Sequence, residues 1–546
     1  MRRLAISAAA ALSVALLLPQ QSTVAATTDQ TVAASETPTP DQPQDTGGVQ
    51  QLGPGVYYAQ SGSFQIAETD AAAGAVGRRH SVTLQDDGIA RPENAPESRS
   101  DMGVFGPSWE AEFLGGTTNR KLQQQGDAIV VTDLGVDESV RYALTDSVSY
   151  PDGGGVGTYR SADGSRITET TNWDDTTGDM VTTIVETLEV DLSATEAGDD
   201  TFAGASADEL KPTYTWKQAA PGSDSWRVTG VGNLAQGTST VGYDTQGRVS
   251  SVTESAADPE AVENVSVRYA EATTATGAVL GDYAGQVKEI TVTTGATVQT
   301  VASYTYDSSG LLREVTNPVA SSEPDKTYTY DTSSRVSEIS SADKGSWDLA
   351  FPAGSAAPDA EADGPARPAE DSVLEGAEGI NDPGATGPPA SDVPGDVSGA
   401  NAYPGYCYTA VSWLKYTMSG CAAWVAHNGW RAPQWKQLPG GRWVVGISYD
   451  HCTSSPDKPS GYDFRSACDM HDYGYGLIGN TYKWYVTPYH LDRYRKSEVD
   501  DVFYTTLRDY TCSAYWLKSI CRGIAWTYRK GVNYGNPVNG ANATRP

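Results

Sequence analysis

A short motif of the form Tyr-Asp-x-x-Gly recurs in the middle of the chain and constrains its fold more than any other feature. Copies begin at Tyr243, Tyr306 and Tyr330, and a degenerate copy begins at Tyr283. The spacings of 40, 23 and 24 residues fit a unit of roughly 20 to 24 residues, a period that indicates a stacked architecture. The motif supplies a strand end, a side chain that bonds the turn backbone, and a residue that tolerates a positive φ.

The residues around these copies have the composition of β-structure. From residue 53 to residue 351 the chain is rich in Thr, Val, Ser, Gly and Tyr, with alternating runs such as Ile290–Thr293. Such runs, bounded by turn residues, indicate strands. We therefore predict a β-rich region over residues 53–351, with the repeats at about 240–340.

An acidic stretch rich in Ala, Pro and Gly follows the β-rich region. Residues 352–400 contain ten carboxylates and one basic residue, Arg367. A stretch of this composition buries too little apolar surface to fold, and its like charges extend it. We predict a linker over residues 352–400 and therefore expect residues 401–546 to fold independently.

The first residues are typical of a secretory signal. Two arginines precede an apolar run over Leu4–Leu18, and a small-residue cleavage site follows at residues 24–26. We predict a signal peptide over residues 1–26 and a disordered segment over residues 27–52. The apolar run is shorter than the about 20 residues that a membrane span needs, and no later segment is long and apolar enough. The mature protein is therefore expected to be soluble and secreted.

All six cysteines lie in the last 140 residues. An even number of cysteines in an exported chain favours disulfide bonds over free thiols, and six cysteines allow 15 pairings. The sequence by itself does not choose among these pairings. A zinc site that joins cysteines to His451 or His471 is the alternative, and the absence of a Cys-x-x-Cys pair argues against it.

One histidine near the C-terminus is surrounded by carboxylates. Asp450 lies 21 residues before the His471 of the dipeptide His471-Asp472, in a chain with five histidines. Such a carboxylate can help to hold a hard cation, which leaves the imidazole free to activate water. Residues 463–477 have helical spacing, with Asp463 as a candidate N-cap and His471 on the buried stripe.

A second helix is predicted over residues 497–512. Its apolar stripe includes Val499 and Phe503, and Asp500 lies at the edge of this stripe. Two interpretations of Asp500 are open. A carboxylate beside an apolar face needs a partner, which the ring of His471 would supply from an antiparallel helix. Alternatively, Asp500 faces solvent near the helix N-terminus, where it favours the helix dipole.

The order and spacing of these residues resemble the secreted bacterial and fungal phospholipase A₂ family. The resemblance covers roughly residues 447–528. The family usually has Arg before the His-Asp pair, whereas this chain has Met470, which weakens any inference about local charge pairing and leaves each proposed catalytic group in place. The matching elements are Asp450-His451-Cys452, Pro456-Asp457-Lys458-Pro459-Ser460-Gly461, Cys468, His471-Asp472-Tyr473-Gly474-Tyr475, Val499-Asp500, Phe503-Tyr504, Cys512, Cys521 and Ala525-Trp526-Thr527-Tyr528.

The resemblance implies a role for each matched polar residue. His471 would be the general base that takes a proton from water, and Asp500 would orient it and stabilise its charged form. Asp450, Asp472 and the backbone carbonyl of His451 would bind one Ca²⁺, which would polarise the ester carbonyl and hold the substrate phosphate. The implied enzyme is a Ca²⁺-dependent phospholipase A₂ that hydrolyses the sn-2 ester of glycerophospholipids to a lysophospholipid and a fatty acid.

The same resemblance implies a disulfide pairing and a partner. It favours Cys452–Cys468 and Cys512–Cys521, which leaves Cys407 and Cys421 as a third pair. The implied partner is a phospholipid membrane surface or micelles. No nucleic-acid partner is expected, and the sequence does not specify protein partners.

Charge is divided unevenly along the chain. Residues 401–546 have a net charge of +6, and the entire chain has −31, which leaves −37 for the first 400 residues. A basic C-terminal part suits an anionic lipid surface.

The Tyr-Asp motifs resemble the YD repeats of RHS-type proteins, in whose large members many repeats form a shell around a C-terminal toxin. Four or five copies are readable here, which we expect to be too few to enclose a domain. The expected fold class is therefore multidomain: a β-rich repeat region plus a mainly α-helical, disulfide-bonded phospholipase A₂ domain. The alternatives for function are a non-catalytic adhesion or interaction protein, and an RHS-type toxin with a lipase effector domain.

Overall fold

The computed structural model describes residues 49–362, except 60, 72, 86–87, 93–96, 193–204, 221, 256–261, 319–321 and 342–344, and residues 434–535, except 441–442, 447–450, 453–454, 473 and 475–492. The predicted signal peptide (residues 1–26), residues 27–48 of the predicted disordered segment and residues 363–400 of the predicted linker lie outside the described residues. These three assignments therefore stay predictions.

The β-rich region forms two sheets, a small antiparallel one and a closed barrel. The small sheet contains β1 (Val49–Leu52), β2 (Gly55–Tyr58), β3 (Ser63–Ala71), β4 (Val76–Leu84), β5 (Ala90–Pro92) and β6 (Trp109–Glu112). The barrel contains β7 (Arg120–Gln125), β8 (Ala128–Asp133), β9 (Glu138–Ser149), β10 (Gly155–Arg160), β11 (Arg166–Asp174), β12 (Asp179–Thr187), β13 (Thr213–Gln218), β14 (Trp226–Asn233), β15 (Gly237–Tyr243), β16 (Val249–Glu254), β17 (Glu263–Tyr269), β18 (Val287–Thr294), β19 (Thr297–Tyr306), β20 (Leu312–Thr316), β21 (Lys326–Tyr330), β22 (Val336–Ser341), β23 (Gly345–Ala350) and β24 (Asp359–Ala362).

The barrel closes because strands without a readable motif extend the repeat region on both sides. The repeat copies lie between β15 and β22, whereas the barrel runs from β7 to β24. Its last strand, Asp359–Ala362, lies within the segment predicted as a linker, and β1 lies at the end of the segment predicted to be disordered. A closed barrel leaves no strand edge unpaired. The number of readable motifs therefore underestimated the number of strands that join the barrel.

The copies that begin at Tyr243, Tyr306 and Tyr330 each form a β-hairpin turn with the predicted bonds. In the copy after β19, the Asp307 carboxylate accepts the backbone N–H groups of Ser309 at 2.8 Å and Leu311 at 3.1 Å. Gly310 has a φ of 80°, which glycine adopts without strain. The relation to RHS proteins stays a prediction.

The tyrosines of the turns also connect neighbouring hairpins. Each tyrosine hydroxyl donates to a backbone carbonyl oxygen of a neighbouring hairpin at 2.7 Å: Tyr243 to Val228, Tyr269 to Val249, Tyr306 to Val287 and Tyr330 to Leu312.

The degenerate copy begins at Tyr269, and the assignment to Tyr283 was wrong. The backbone N–H of Ala270 donates to the carbonyl of Gln286 at 2.9 Å, which is the bond that closes the other turns. Residues 271–284 are therefore an insertion inside one turn. Sequence spacing hid this copy because the insertion separates its tyrosine from its glycine.

One hydrophobic core includes residues of the barrel, the small sheet and the C-terminal segment. Within this core, buried charged side chains connect the small sheet to the barrel. Lys326 of β21 pairs with Glu68 of β3 at 2.8 Å, and the Arg78 guanidinium donates to the Tyr328 hydroxyl at 2.5 Å. Burial of these charges is tolerated because each has an opposite or hydrogen-bonding partner.

His80 links the small sheet to the barrel and should make folding sensitive to acid. Its Nδ1 donates to the Ser108 carbonyl at 2.7 Å, and its Nε2 accepts the N–H of Val336 at 3.3 Å. Burial disfavours the imidazolium and lowers the pKa of His80 from 6.5 to about 4. The unfolded chain binds this proton first, so stability is complete above pH 6.5 and is lost as pH falls towards 4.

We expect this loss to reach about 3 kcal/mol between those pH values. Urea unfolding of the native chain and of His80→Gln at pH 7 and pH 4 measures it. The native chain should lose more stability than the variant over this interval; equal losses would contradict the assignment.

The C-terminal part contains a two-stranded sheet and three helices among the described residues. The strands are β25 (Gln434–Gln437) and β26 (Trp443–Gly446), and the helices are α1 (residues 465–472), α2 (Arg493–Thr505) and α3 (Lys518–Gly535). Among the described residues, no helix has the length and apolarity needed to cross a membrane.

The expected fold class is wrong for this part of the chain. The described chain is mostly β, and its C-terminal part holds a short helical, disulfide-bonded segment rather than a mainly α-helical phospholipase A₂ domain. Apolar periodicity located α1 and α2, but residues ahead of α1 pair as strands. The turns after Thr505 also widen into a π-helix over Thr506–Thr511 and a 3₁₀ turn over Cys512–Ala514, so the regular helix ends early.

The helical segment packs directly against the barrel and the small sheet. Arg508 pairs with Glu112 of β6 at 3.3 Å. From α3, Arg522 pairs with Asp133 of β8 at 3.1 Å, and the Lys530 ammonium donates to the Ser255 carbonyl at 2.6 Å. Burial lowers the pKa of Lys530 to about 8. The carboxylates of the β-rich region thus complement the basic C-terminal part.

Candidate active site

Helix α1 carries the predicted histidine on a buried face. The Asp463 carboxylate accepts the backbone N–H of Arg465 at 3.2 Å, as expected for a residue that caps the helix start. Along the predicted stripe, Phe464 and Ala467 are fully buried, and His471 is 7% exposed. The stripe therefore places the imidazole inside the protein at the end of α1.

Helix α2 brings a carboxylate to this imidazole. Asp500 Oδ1 lies 2.9 Å from Nε2 of His471, and Asp500 is only 1% exposed. The ring of Phe503, one turn further along α2, lies 4.6 Å from the His471 ring centroid. Of the two interpretations of Asp500, the structure supports the pairing with His471 and not the solvent-facing position.

Two disulfides hold the segment together, in the pairing that the resemblance implied. Cys452–Cys468 joins α1 to the loop before it, with Cα atoms 5.0 Å apart, and Cys512–Cys521 joins the end of the widened turns to α3. The four described cysteines are therefore not zinc ligands. Cys407 and Cys421 lie outside the described residues.

The loop at His451 is held by groups on both sides. Its backbone has a φ of 52°, in the left-handed region, and its Nδ1 lies 2.8 Å from Asp469 Oδ1 on α1. The hydrogen bond to Asp469 raises the pKa of His451 above its usual value. The second Asp469 oxygen lies 3.5 Å from the Lys436 ammonium, and the next N–H, of Cys452, donates to Asp457 at 3.0 Å.

The predicted metal ligands are only partly described. Asp450 lies outside the described residues. Asp472 is half-buried on α1, directly after His471, and His451 is also half-buried. Within residues 49–362 and 434–535, leaving out the gaps, no group of three or more His, Cys, Asp and Glu could hold a metal ion. The Ca²⁺ site therefore stays a prediction.

The sequence patterns did not single out Asp469, which contacts His451, or Gly446, which packs against α1. His451 and Asp469 directly flank the two cysteines of one disulfide, Cys452 and Cys468, so this pairing brings the two side chains together. The disulfide pairing was therefore a signal for the His451–Asp469 contact. No comparable signal marks Gly446, whose role depends on how β26 packs against α1.

Gly446 allows β26 to approach α1 closely. A Cβ at this position would lie 2.8 Å from the backbone carbon of Asp469 and 3.0 Å from the nitrogen of Met470. Because these are backbone atoms, Gly446→Ala should lower the free energy of unfolding by about 1–3 kcal/mol. Urea unfolding measures this, with Gly157→Ala as control. A Cβ at that site would lie 3.1 Å from the Tyr159 ring and 3.4 Å from the Glu169 carboxylate, which are side-chain rather than backbone atoms. Equal stability of Gly446→Ala and the native chain would refute the packing argument.

Comparison with known proteins places this geometry in a family context. Residues 434–535 match the family model of prokaryotic phospholipase A2. The chain is also 42% identical over 88 residues to "Secretory phospholipase A2" of Arthroderma benhamiae; the match covers 15% of this chain and 53% of that protein. The chain thus spans about half the length of this relative. Residues 434–535 are therefore similar to prokaryotic phospholipase A₂, and a stretch of 88 residues is similar to the fungal protein. Both matches support the predicted enzyme class, a phospholipase A₂ hydrolase.

Proposed function

We propose that the C-terminal segment hydrolyses the sn-2 ester of glycerophospholipids to a lysophospholipid and a fatty acid, and that it depends on Ca²⁺. The observation that carries the proposal is the buried hydrogen bond between His471 and Asp500 inside a segment that matches a phospholipase A₂ family model. A buried imidazole paired with a carboxylate is the arrangement that a general base needs.

His471 carries the proton during the reaction, and Asp500 supports the imidazole. With Nε2–H of His471 donating to Asp500, the other ring nitrogen, Nδ1, is left unprotonated and can accept a proton from water. The water oxygen then bonds to the ester carbonyl carbon, and the proton passes from Nδ1 to the glycerol oxygen as the ester bond breaks. Asp500 remains ionised and stabilises the imidazolium while it exists.

The donor set proposed for the metal fits Ca²⁺. Asp450, Asp472 and the His451 carbonyl offer only oxygen atoms, which hard cations prefer. Nδ1 of His451 is engaged by Asp469, so this ring nitrogen is not offered to the metal. When bound, Ca²⁺ would supply Lewis-acid polarisation of the ester carbonyl and charge for the substrate phosphate.

Export is part of the proposal. The two described disulfides are of the kind that persists in oxidising compartments, and the fungal relative is named a secretory enzyme. Together with the predicted signal peptide, these features support a secreted protein. Its partner would be a phospholipid membrane surface or micelles.

Vesicles of phosphatidylcholine labelled in the sn-2 acyl chain test the proposal. The full chain should release labelled fatty acid with Ca²⁺ present and lose this activity in a chelator. Vesicles labelled only in the sn-1 chain should yield labelled lysophospholipid and no labelled fatty acid. No release under any condition would favour the non-catalytic adhesion protein; sn-1 release would refute the proposed regiochemistry. The RHS-type toxin stays an untested alternative for the biological role.

A further inference from the structure

We propose that Asp469 is a positioning residue that presents the His451 carbonyl oxygen to Ca²⁺ by holding the His451 imidazole. The inference rests on the proposed function, since the calcium ion and its ligands are part of that proposal. It adds a residue that the family resemblance did not single out.

The backbone of His451 needs something to hold it. Its φ of 52° lies in the left-handed region, which is uncommon for a residue with a Cβ, so a restraint from its surroundings stabilises it. The hydrogen bond from its ring to Asp469 at 2.8 Å supplies such a restraint. A carbonyl oxygen in a fixed direction binds a cation better than one that must be ordered on binding.

Asp469 is itself firmly held. It is 1% exposed on α1, its Oδ1 faces His451, and its Oδ2 lies 3.5 Å from the Lys436 ammonium. The disulfide Cys452–Cys468 joins the residues next to His451 and Asp469. Both carboxylate oxygens of Asp469 thus face cationic or hydrogen-bonding side chains, which makes it an anchor for the loop rather than another ligand.

A different explanation would give Asp469 a direct electrostatic effect on the cation. A buried carboxylate near a Ca²⁺ site attracts the ion through its charge, whatever residue lies between them. The two explanations differ in their dependence on His451. If Asp469 acts through the ring, its effect must disappear once the ring is gone and the backbone no longer needs restraint.

Glycine at position 451 makes this distinction, because glycine adopts a positive φ without restraint. The experiment uses the full chain and four proteins: the native chain, Asp469→Ala, which removes the acceptor of the His451 ring, His451→Gly and the double variant. Calorimetric titration with CaCl₂ gives the dissociation constant of the ion alone. Turnover of sn-2-labelled phosphatidylcholine vesicles at saturating Ca²⁺ gives kcat.

Asp469→Ala should weaken Ca²⁺ binding by about 10-fold and change kcat at saturating Ca²⁺ by less than about twofold, since an outer partner of a ligand tunes metal affinity. In the His451→Gly background the same change should alter Ca²⁺ affinity by less than about twofold. Asp463→Asn is the matched control: it removes the Arg465 ion pair on the same helix and should leave Ca²⁺ affinity unchanged.

Two results would overturn the inference alone: native Ca²⁺ affinity in Asp469→Ala, or an equal loss in the glycine background. Absence of Ca²⁺ binding by the native chain would overturn the proposed function as well. If Asp469→Ala does not fold, His451→Ala and His451→Gly replace it, because both remove the ring and keep the Asp469 charge. His451→Ala should bind Ca²⁺ more weakly than the native chain and than His451→Gly, because its Cβ resists the positive φ without the ring bond. Native affinity in His451→Ala would contradict the role of the ring.

Discussion

Residues 401–546, produced without the rest of the chain, are expected to show no cooperative unfolding transition. Every side chain of α3 from Ser519 to Lys530 is buried, and one side of this helix faces the β-rich region. There, Arg529 pairs with Glu254 of β16, and Tyr504 of α2 donates to the Gly115 carbonyl at 3.0 Å. The isolated segment would expose this apolar surface and lose these partners. The free energy lost with these contacts is expected to exceed the marginal stability of a segment of this size.

Circular dichroism during heating tests this expectation. Residues 49–546, which keep the barrel, are the matched control and should melt cooperatively. A cooperative melt of residues 401–546 at the temperature of the control would instead support the independent folding that the predicted linker implied.

His471→Gln is expected to lower kcat by about 10²- to 10⁴-fold, the usual contribution of a general base. Glutamine can still donate from its Nε2 to Asp500 and so keeps the buried carboxylate partnered, but it cannot take a proton from water. Initial rates of fatty acid release at saturating Ca²⁺ measure the effect, and the Ca²⁺ dissociation constant should stay at the native value.

Asp500→Asn provides the companion variant. An amide donates to Nε2 of His471 and thereby moves the imidazole proton to Nδ1, which removes the acceptor that faces water. A loss of similar size to that of His471→Gln is expected. If either variant retains native kcat, the assigned pair does not carry the proton.

Local sequence pattern predicted the local structure well. Asp307 and Gly310 formed the turn that the motif requires, because its bonds join residues close in sequence. The closure of the barrel depends on strands without the motif, such as Asp359–Ala362, and on long-range pairing. The insertion inside the Tyr269 turn also changed the apparent repeat spacing. The spacing therefore assigned the degenerate copy to Tyr283 instead of Tyr269.

The candidate site was predictable at the residues that match the phospholipase A₂ pattern. His471 and Asp500 were proposed as partners, and they lie 2.9 Å apart. The two helical stripes left this pairing as one of two interpretations, and the family resemblance implied it. The contact of Asp469 with His451 depends instead on how a loop folds back over α1. The packing of the helical segment against the barrel was not predictable either, since its ion pairs, such as Arg522–Asp133, join residues hundreds of positions apart.

Release of sn-2 fatty acid by the full chain and by His471→Gln, side by side at saturating Ca²⁺, tests the central claim most directly. The native chain should hydrolyse the labelled vesicles and the variant should be slower by at least about 10²-fold, with both proteins equally folded. Equal rates in the two proteins, or no hydrolysis by the native chain, would contradict a phospholipase whose base is this buried imidazole.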